Sequence, residues 1–313
     1  MITASAAGKL NLILLVGKPD QRGYHPLYSI FETLNIRERA TVRFRPQRDE
    51  SARIGMPIVV HTLGADLSDL EPTKHLAFRA ARALILEAAK LGIPAVPDGH
   101  VLEIEIEKSI PVAGGMAGGS ADAAATLVAV DKLLGLNLDR ERMHEIARGL
   151  GADVPACLEG GISLGLGYGD HMTRLDQPDT PEHYWVMCTM RQGLSTPAVF
   201  KEFDVQGRGR SKLPTSLREG DWRVLEGAEQ LVGLLENDLQ ETALSMHPTL
   251  GQAWKVIEEA GPLAVLLSGS GPTVAALATS LEHARQIEQR LAEAPEVENT
   301  LVVSGPAQPA KVE

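Results

Sequence analysis

Several features that would assign this chain of 313 residues to a familiar class are missing. Cysteine is almost absent. Cys157 and Cys188 are the two that occur; they exclude a disulfide framework and read as small buried hydrophobes in a reducing compartment. No apolar run reaches the roughly 18 residues that a membrane helix needs. Met1-Ile2-Thr3-Ala4-Ser5 lacks the basic and apolar stretches of a secretory signal, so a cytoplasmic location is expected. Positive charge is not in excess: the net charge is -11 and the pI about 5.4. That balance argues against nucleic acid and membrane surfaces as partners. No CxxC pair occurs, and no GxSxG elbow marks a nucleophilic serine. His144-Glu145-Ile146-Ala147-Arg148 misses the zinc pattern HExxH, because Arg148 stands where the second histidine belongs.

What remains is ordinary globular composition, 44% hydrophobic and 23% charged, at a length that favours two domains. Its most informative stretch runs Pro111-Val112-Ala113-Gly114-Gly115-Met116-Ala117-Gly118-Gly119-Ser120-Ala121-Asp122-Ala123-Ala124. Glycines and small neighbours let backbone N–H groups approach an anion, and an alanine-rich helical pattern follows at once. The loop is a phosphate binder of unfamiliar type. Gly114 and Gly119 have the Walker A separation, but Ser120 and Ala121 stand where Lys and Ser/Thr are required. The dinucleotide fingerprint GxGxxG is absent as well.

Hydrophobic periodicity places this loop. Residues 7–16 read as a strand, with a turn at Gly23-Tyr24-His25 and more strand over 30–44. Leu76, Ala80, Ala83, Leu84 and Leu91 predict a helix closed by Gly92. Residues 101–107 alternate, with Leu102, Ile104 and Ile106 on one face. After the loop, Ala123, Leu127, Val130 and Leu134 have helical spacing, Ser120 is a natural N-cap, and Asp122 sits in the first turn. Asp139 caps a shorter helix that ends at Gly151. Residues 160–169 are expected to carry the chain out of the first domain. A strand follows at 184–190. The polar segment 204–219, with Gly207-Arg208-Gly209-Arg210-Ser211-Lys212, is expected to be a solvated loop; contact with a substrate phosphate is the alternative. Two helical patterns follow, around Leu239, Ala243 and Leu244 and through Leu250, Ala253, Trp254 and Ile257. Strand 264–267, the turn Ser268-Gly269-Ser270-Gly271-Pro272, strand 273–277, helix 281–292 and a Pro-containing tail complete the chain.

Three segments carry chemistry: Gly8-Lys9-Leu10-Asn11-Leu12, the glycine-rich loop, and Asp153 between a helix end and Pro155. An ammonium beside a carboxylate keeps the carboxylate ionised, so that it can accept a hydroxyl proton, and also offsets phosphoryl charge. Spacing alone leaves open a strand-end lysine and a capping aspartate.

Together these segments resemble the GHMP kinase superfamily. Lys9-Leu10-Asn11-Leu12 is similar to its first motif, residues 111–124 to its phosphate loop, and Leu267-Ser268-Gly269-Ser270-Gly271-Pro272 to its third. Within it, Arg22-Gly23-Tyr24-His25, Leu150-Gly151-Ala152-Asp153-Val154-Pro155 and Ser195-Thr196-Pro197-Ala198-Val199-Phe200 resemble the signatures DGYH, LGADVP and STP of the 4-diphosphocytidyl-2-C-methyl-D-erythritol kinases. The resemblance implies an α+β fold of two domains. These are a ribosomal-S5-domain-2-like nucleotide domain over 1–165 and a ferredoxin-like domain over 166–305, with a tail at 306–313 and the active site in the cleft between.

The implied activity is ATP-dependent phosphorylation of the C2 hydroxyl of 4-diphosphocytidyl-2-C-methyl-D-erythritol in isoprenoid precursor synthesis. Asp153 would be the base and Lys9 its partner, with Asn11 positioning substrate. Tyr24 and Phe200 would sandwich the cytosine ring and His25 would bond its edge, while Thr196, Gly269, Ser270 and Gly271 would also meet substrate. Lys108, Pro111, Gly114, Gly115, Gly118, Gly119 and Ser120 would surround ATP, Ser120 also serving as the candidate Mg²⁺ contact. A monomer or weak homodimer is expected. Four positions depart from the pattern: Gly8 for alanine, Gln21 for the aspartate of DGYH, His75 for an asparagine near adenine, and the turn Gly167-Tyr168-Gly169-Asp170. Competing readings are a mevalonate- or homoserine-kinase-like enzyme, a catalytically silent ligand sensor that keeps the fold, and an S5-like nucleic-acid binder; the acidic charge opposes the last.

Overall fold

A computed structural model of the chain describes all residues except 48–55, 68–69 and 113, so Ala113 of the glycine-rich loop lies outside the described residues. Apolar residues fill β1 (Ile2–Val16) so completely that every position from Ala4 to Val16 is buried. A strand apolar on both faces needs cover on both. β1 pairs antiparallel with β2 (Leu27–Pro46) as one long hairpin, from Ile2 opposite Val42 to Val16 opposite Leu27. β3 (Ile58–Leu63) runs parallel to β4 (His100–Glu107), joined to it through α1 (Leu76–Lys90), and β4 extends the sheet beyond β2. Leu102, Ile104 and Ile106 are fully buried, as their alternation predicts. Gly92 closes α1 with φ +71°, the left-handed conformation expected at that position.

The alanine-rich run becomes α2 (Gly118–Leu134), whose Ala121, Ala123, Ala124, Ala125 and Leu127 are wholly buried. Methyl side chains let this helix lie close on β1 and β2. Its start differs from expectation: Ala117 takes the cap position at φ 60°, with no side-chain cap. Ser120 therefore sits inside the first turn, and Asp122 is buried beyond it. Asp139 caps α3 (Arg140–Leu150) through its carboxylate on Arg142 N–H at 2.8 Å, as expected. The short α4 (Val154–Glu159) follows.

Residues 160–169 do not leave the first sheet. They form β5 (Ile162–Leu166), which pairs with β2, and turn into β6 (His171–Arg174). The expected break at 165/166 thus falls inside β5. Gly165 sits where an added Cβ would meet Phe31 at 2.6 Å, which explains a glycine within this strand.

The second unit begins at β7 (His183–Thr189). Then come α5 (Thr196–Val205), α6 (Ala228–Leu231), β8 (Glu236–Asn237), α7 (Gln240–Met246), α8 (Pro248–Glu259), β9 (Ala264–Leu267), β10 (Val274–Ala278), α9 (Leu281–Leu291) and β11 (Asn299–Gly305). Its four-stranded antiparallel sheet has the order β11-β7-β10-β9. With helices between β7 and β9 and between β10 and β11, this is the ferredoxin-like arrangement. Val186, Ile257, Val274 and Ile287 fill its core, while Leu10, Leu12, Ile104 and Leu127 fill that of the first unit.

Two strands return to the first sheet: β8 runs parallel to β1, and β12 (Lys311–Val312) pairs with Ala4 and Ser5. Residues 306–313 are therefore tied down rather than a free tail, with Arg37 donating to the carbonyls of Gln308 and Pro309. The arginines of 204–219 face carboxylates: Arg210 pairs with Glu236 and Asp238, Arg208 with Glu241, and Arg218 with Asp221. Cys157 and Cys188 are free and buried, and burial pushes both thiols up, Cys188 to about 12.

Candidate active site

Two irregularities in the β1–β2 ladder bracket the first chemical motif, between Ala7 and Lys9 and between Asn11 and Ile13. Bulges re-aim the side chains beside them. Lys9 and Asn11, two residues apart, share one face. The Lys9 Nζ donates to Asn11 Oδ1 at 2.7 Å and lies 3.4 Å from Asp153 Oδ2. Asn11 Nδ2 donates in turn to Ser29 Oγ at 2.8 Å, whose hydroxyl bonds the Ile13 carbonyl. The Lys9 side chain is only 4% exposed, whereas Asp153 is 37% exposed. An ammonium buried this deeply needs charge and hydrogen-bond partners, and this chain of contacts supplies them. Asp153 occupies the cap position of α4 yet makes no side-chain cap bond, so its carboxylate faces Lys9 instead.

The glycine-rich loop lies against the turn after β9. A Cβ on Gly115 (φ +74°) would come within 2.3 Å of the Ser268 carbonyl oxygen, and Ser268 Oγ donates to Gly115 O at 3.1 Å. Gly269, at φ +58°, lies over Lys9, where a Cβ would be 3.5 Å from Nζ. Asn237, from β8, donates to the carbonyls of Leu267 and Gly269 at 2.8 and 2.7 Å, clamping this turn to the first sheet. Sequence reasoning passed over Asn237 because its partners are backbone atoms distant in the chain.

Lys108 carries no free charge into the cleft. Its ammonium is 2.6 Å from Glu38 Oε1 and 2.9 Å from Asp122 Oδ2, with all three side chains almost wholly buried. One cation faces two carboxylates, and burial with the Glu38 charge pushes the Asp122 carboxyl up to about 7 against the pull of Lys108. His75, in the position of the expected asparagine, caps α1: its Nδ1 accepts from Ala77 N–H at 3.1 Å. Burial, and then the nearby Lys108 charge, lower its pKa, which preserves the neutral ring that such a cap requires.

At the far end, Thr196 Oγ1 and Ser270 Oγ lie 2.8 Å apart, joining α5 to the Ser268–Pro272 turn. The His25 and Phe200 rings meet at 4.8 Å, tilted by 41°, and His25 Nε2 lies 2.8 Å from Asp204 Oδ1. Tyr24 is 64% exposed and its ring meets the edge of Tyr168 at 6.0 Å. Counted back from His25, the aspartate of DGYH falls on Arg22 rather than Gln21, and Asp20, two residues earlier, builds the turn: its carboxylate accepts from the N–H groups of Arg22 and Tyr24 and from Tyr168 Oη. These bonds hold its carboxyl far below the ordinary range. The unusual Tyr168 turn is thus part of the same structure as the Tyr24 loop.

A cavity of about 540 Å³ connects these parts. Lys9, Asn11 and Asp153 line it, with Lys108, Pro111, Gly114, Gly115, Gly118 and Gly119 from the first unit. Thr196, Phe200, Gly269, Ser270 and Gly271 line it from the second. Ser120, Tyr24 and His25 stand outside that lining. At one end, the N–H groups of Gly118, Gly119 and Ser120 lie in the first turn of α2, where no intrahelical acceptor exists and Ala117 offers no cap. The geometry is that of an anion cradle beside a lysine–carboxylate pair.

Known proteins share this architecture. The description "GHMP kinases N terminal domain" matches residues 75–161 and "GHMP kinases C terminal" residues 216–297. A Corynebacterium jeikeium protein described as 4-diphosphocytidyl-2-C-methyl-D-erythritol kinase is 38% identical over 99% of this chain and 93% of its own length. A Streptomyces coelicolor protein of the same description is 40% identical over 91% of this chain and 90% of its own. A crystal structure of 4-(cytidine 5'-diphospho)-2C-methyl-D-erythritol kinase superposes with a TM-score of 0.74 at 25% identity, covering 98% of this chain and all of the other.

Proposed function

Because the chain belongs to the GHMP kinases, and among them to the 4-diphosphocytidyl-2-C-methyl-D-erythritol kinases, we propose that Asp153 and Lys9 form its catalytic pair. The enzyme is an ATP-dependent kinase that phosphorylates the C2 hydroxyl of 4-diphosphocytidyl-2-C-methyl-D-erythritol, giving the 2-phosphate and ADP. One observation carries the residue assignment: a buried ammonium 3.4 Å from a carboxylate that is itself open to the cleft.

The residues present fit a nucleotide's phosphates. Gly118 lacks a Cβ that would crowd Glu38 Oε1 at 3.1 Å, and the uncapped first turn of α2 leaves N–H donors for phosphate oxygens. Bound ATP supplies the transferable phosphoryl group, with Mg²⁺ neutralising its charge. No group of three or more His, Cys, Asp or Glu suited to a metal occurs among the described residues. Mg²⁺ would be held with the triphosphate, with the Ser120 hydroxyl as its candidate contact on this chain.

Asp153 accepts the proton of the attacking hydroxyl as the oxygen–phosphorus bond forms. Lys9 holds that carboxylate ionised and in place, and its charge compensates the phosphoryl oxygens as they gain charge. Asn11, fixed by Ser29, sets the direction of the Lys9 ammonium. Phe200, Thr196 and the turn at 269–271 receive the acceptor from the second unit, which keeps the hydroxyl and donor phosphate in line.

The test is Asp153→Ala and Asp153→Asn in a coupled ADP-release assay with this acceptor, mevalonate and homoserine in parallel. A positioned base contributes roughly 10²–10⁴ in rate, so turnover should fall by that factor while ATP binding persists. Near-normal turnover would exclude Asp153 as the base. Turnover of mevalonate alone would overturn the acceptor assignment.

A further inference from the structure

We propose that Asp204 is a specificity-determining positioning residue that fixes the hydrogen-bonding character of His25 and so selects a cytosine over a uracil. The inference rests on the reading that His25 meets the edge of the acceptor's base.

α5 presents Thr196, Phe200 and Asp204 at intervals of four residues. Four residues turn a helix by about 400°, so the three side chains stay on one face with a drift of about 40° per step. Two of them, Thr196 and Phe200, line the cavity. Behind them, Val199 and Phe203 are fully buried in a small core with Leu14, Val16 and Leu239, which fixes α5 against β1. Asp204 is thus held on the cavity-facing side of an anchored helix, one turn beyond the Phe200 ring.

Its partner is His25 Nε2, at 2.8 Å. The His25 side chain is only 8% exposed, and its ring rests on Phe200 at 4.8 Å. A carboxylate offers only acceptor lone pairs. In the neutral imidazole the hydrogen must therefore sit on Nε2, and Nδ1 is left as an acceptor. Cytosine carries an amino group, a donor, where uracil carries a carbonyl, an acceptor. An Nδ1 lone pair pairs with the first and opposes the second. Stacking on Phe200 cannot make that distinction, since stacking tolerates any base.

The experiment compares kcat/KM for the natural cytidine acceptor and its uridine counterpart in the full-length enzyme. The variants are Asp204→Asn, Asp204→Ala, Asp204→Glu and His25→Ala. An asparagine can turn its amide donor toward Nε2 and shift the proton to Nδ1, so D204N should lower the cytidine-to-uridine preference about tenfold or more. D204E should restore most of it. The KM for ATP should not move in any of them, and thermal unfolding checks that each variant is folded. A merely structural Asp204 would lower both acceptors' values together and leave their ratio intact; that result in both D204N and D204A overturns the proposal. If His25→Ala alters the ratio and the Asp204 variants do not, only the role of Asp204 fails. If His25→Ala leaves it unchanged, the His25 reading fails and the proposal with it.

Discussion

Substituting Asp122 by asparagine should make the protein's stability less sensitive to pH between about 4 and 8. Asp122, Glu38 and Lys108 form a buried triad with one positive and two negative groups. Asparagine keeps the shape and removes one charge, leaving a matched Lys108–Glu38 pair. Asp122 titrates at about 7 in the fold against an ordinary 3.8. Between those values the native state holds a proton that the unfolded chain has released. Stability therefore falls as pH rises through that window and levels off above it. At about 1.36 kcal/mol per pH unit, the gap caps the effect at roughly 4 kcal/mol, and readjustment of Lys108 and Glu38 lowers it toward 1–3. Denaturant unfolding of both proteins at pH 5 and pH 8, compared at matched m-values, reads the difference. The variant should gain on the wild type by about 1–3 kcal/mol on going to pH 8. A difference that stays constant across that range would refute the argument that Asp122 is the strained member of the triad.

Three further outcomes follow from the loops. Gly115→Ala places a methyl 2.3 Å from the Ser268 carbonyl at φ +74°; left-handed strain alone costs about 1–2 kcal/mol, so the KM for ATP should rise at least about tenfold, and an unchanged KM would show that the loop rests elsewhere. Asn237→Ala removes the bonds to the Leu267 carbonyl at the end of β9 and to Gly269 in the turn after it, at about 1–3 kcal/mol per unsatisfied carbonyl; the acceptor kcat/KM should fall by more than the thermal midpoint alone explains, as steady-state kinetics and calorimetry together would reveal. Gly8→Ala brings a Cβ to 3.0 Å from Ile110 Cδ1 and 3.1 Å from the Met116 carbonyl oxygen; the side-chain end can give way but the carbonyl, which accepts from Lys9 N–H, is backbone, so the loss should be about 1–3 kcal/mol, and combining it with Ile110→Val should recover only part of the midpoint.

What could be read from the chain was whatever its local pattern dictated. Leu102, Ile104 and Ile106 alternate because β4 has a single fully apolar face, and Gly92 follows α1 because its φ of +71° favours glycine. The chemical pair was legible as residue types, Lys9 and Asp153, but their 3.4 Å approach depends on two β-bulges and on α4, which no spacing encodes. Ser120 is not the cap its residue type suggests, because Ala117 adopts φ 60°, which alanine seldom does, and starts α2 three residues earlier. The glycines of 160–169 suggested an exit from the domain. In the fold, positive φ at Gly160 and Gly161 ends α4 and turns the chain into β5, which pairs with β2, and positive φ at Gly167 and Gly169 makes the tight turn into β6. β8 and β12 are two residues each and exist only through their pairing with β1, so no periodicity could reveal them. Asp204 did leave a signal, since it stands one helical turn after Phe200, but α5 has to be recognised as a helix before that spacing means anything.

The distribution of charge around the cavity bears on the proposal that the glycine-rich loop holds the donor phosphates. Three lysines line it, Lys9, Lys74 and Lys108, and each is already matched: Lys9 by Asp153, Lys74 by Glu71 at 3.3 Å, and Lys108 by Glu38 and Asp122. An ammonium committed to Glu38 and Asp122 cannot neutralise a triphosphate without leaving two buried carboxylates uncompensated, which is costly. Lys74 is exposed and screened by solvent, so its reach is weak. In the proposed role the positive potential would come from backbone N–H groups at the start of α2, which need no counter-charge and carry no side chain to desolvate. The loop can lie this close to its neighbours only without Cβ atoms, since one on Gly114 would come within 2.9 Å of Thr273 Oγ1, one on Gly115 within 2.3 Å of the Ser268 carbonyl and one on Gly118 within 3.1 Å of Glu38 Oε1. The same distribution of charge leaves Lys9 as the ammonium close to the Asp153 carboxylate, so in the proposed roles one cation would serve base and phosphoryl group without a second competing for either.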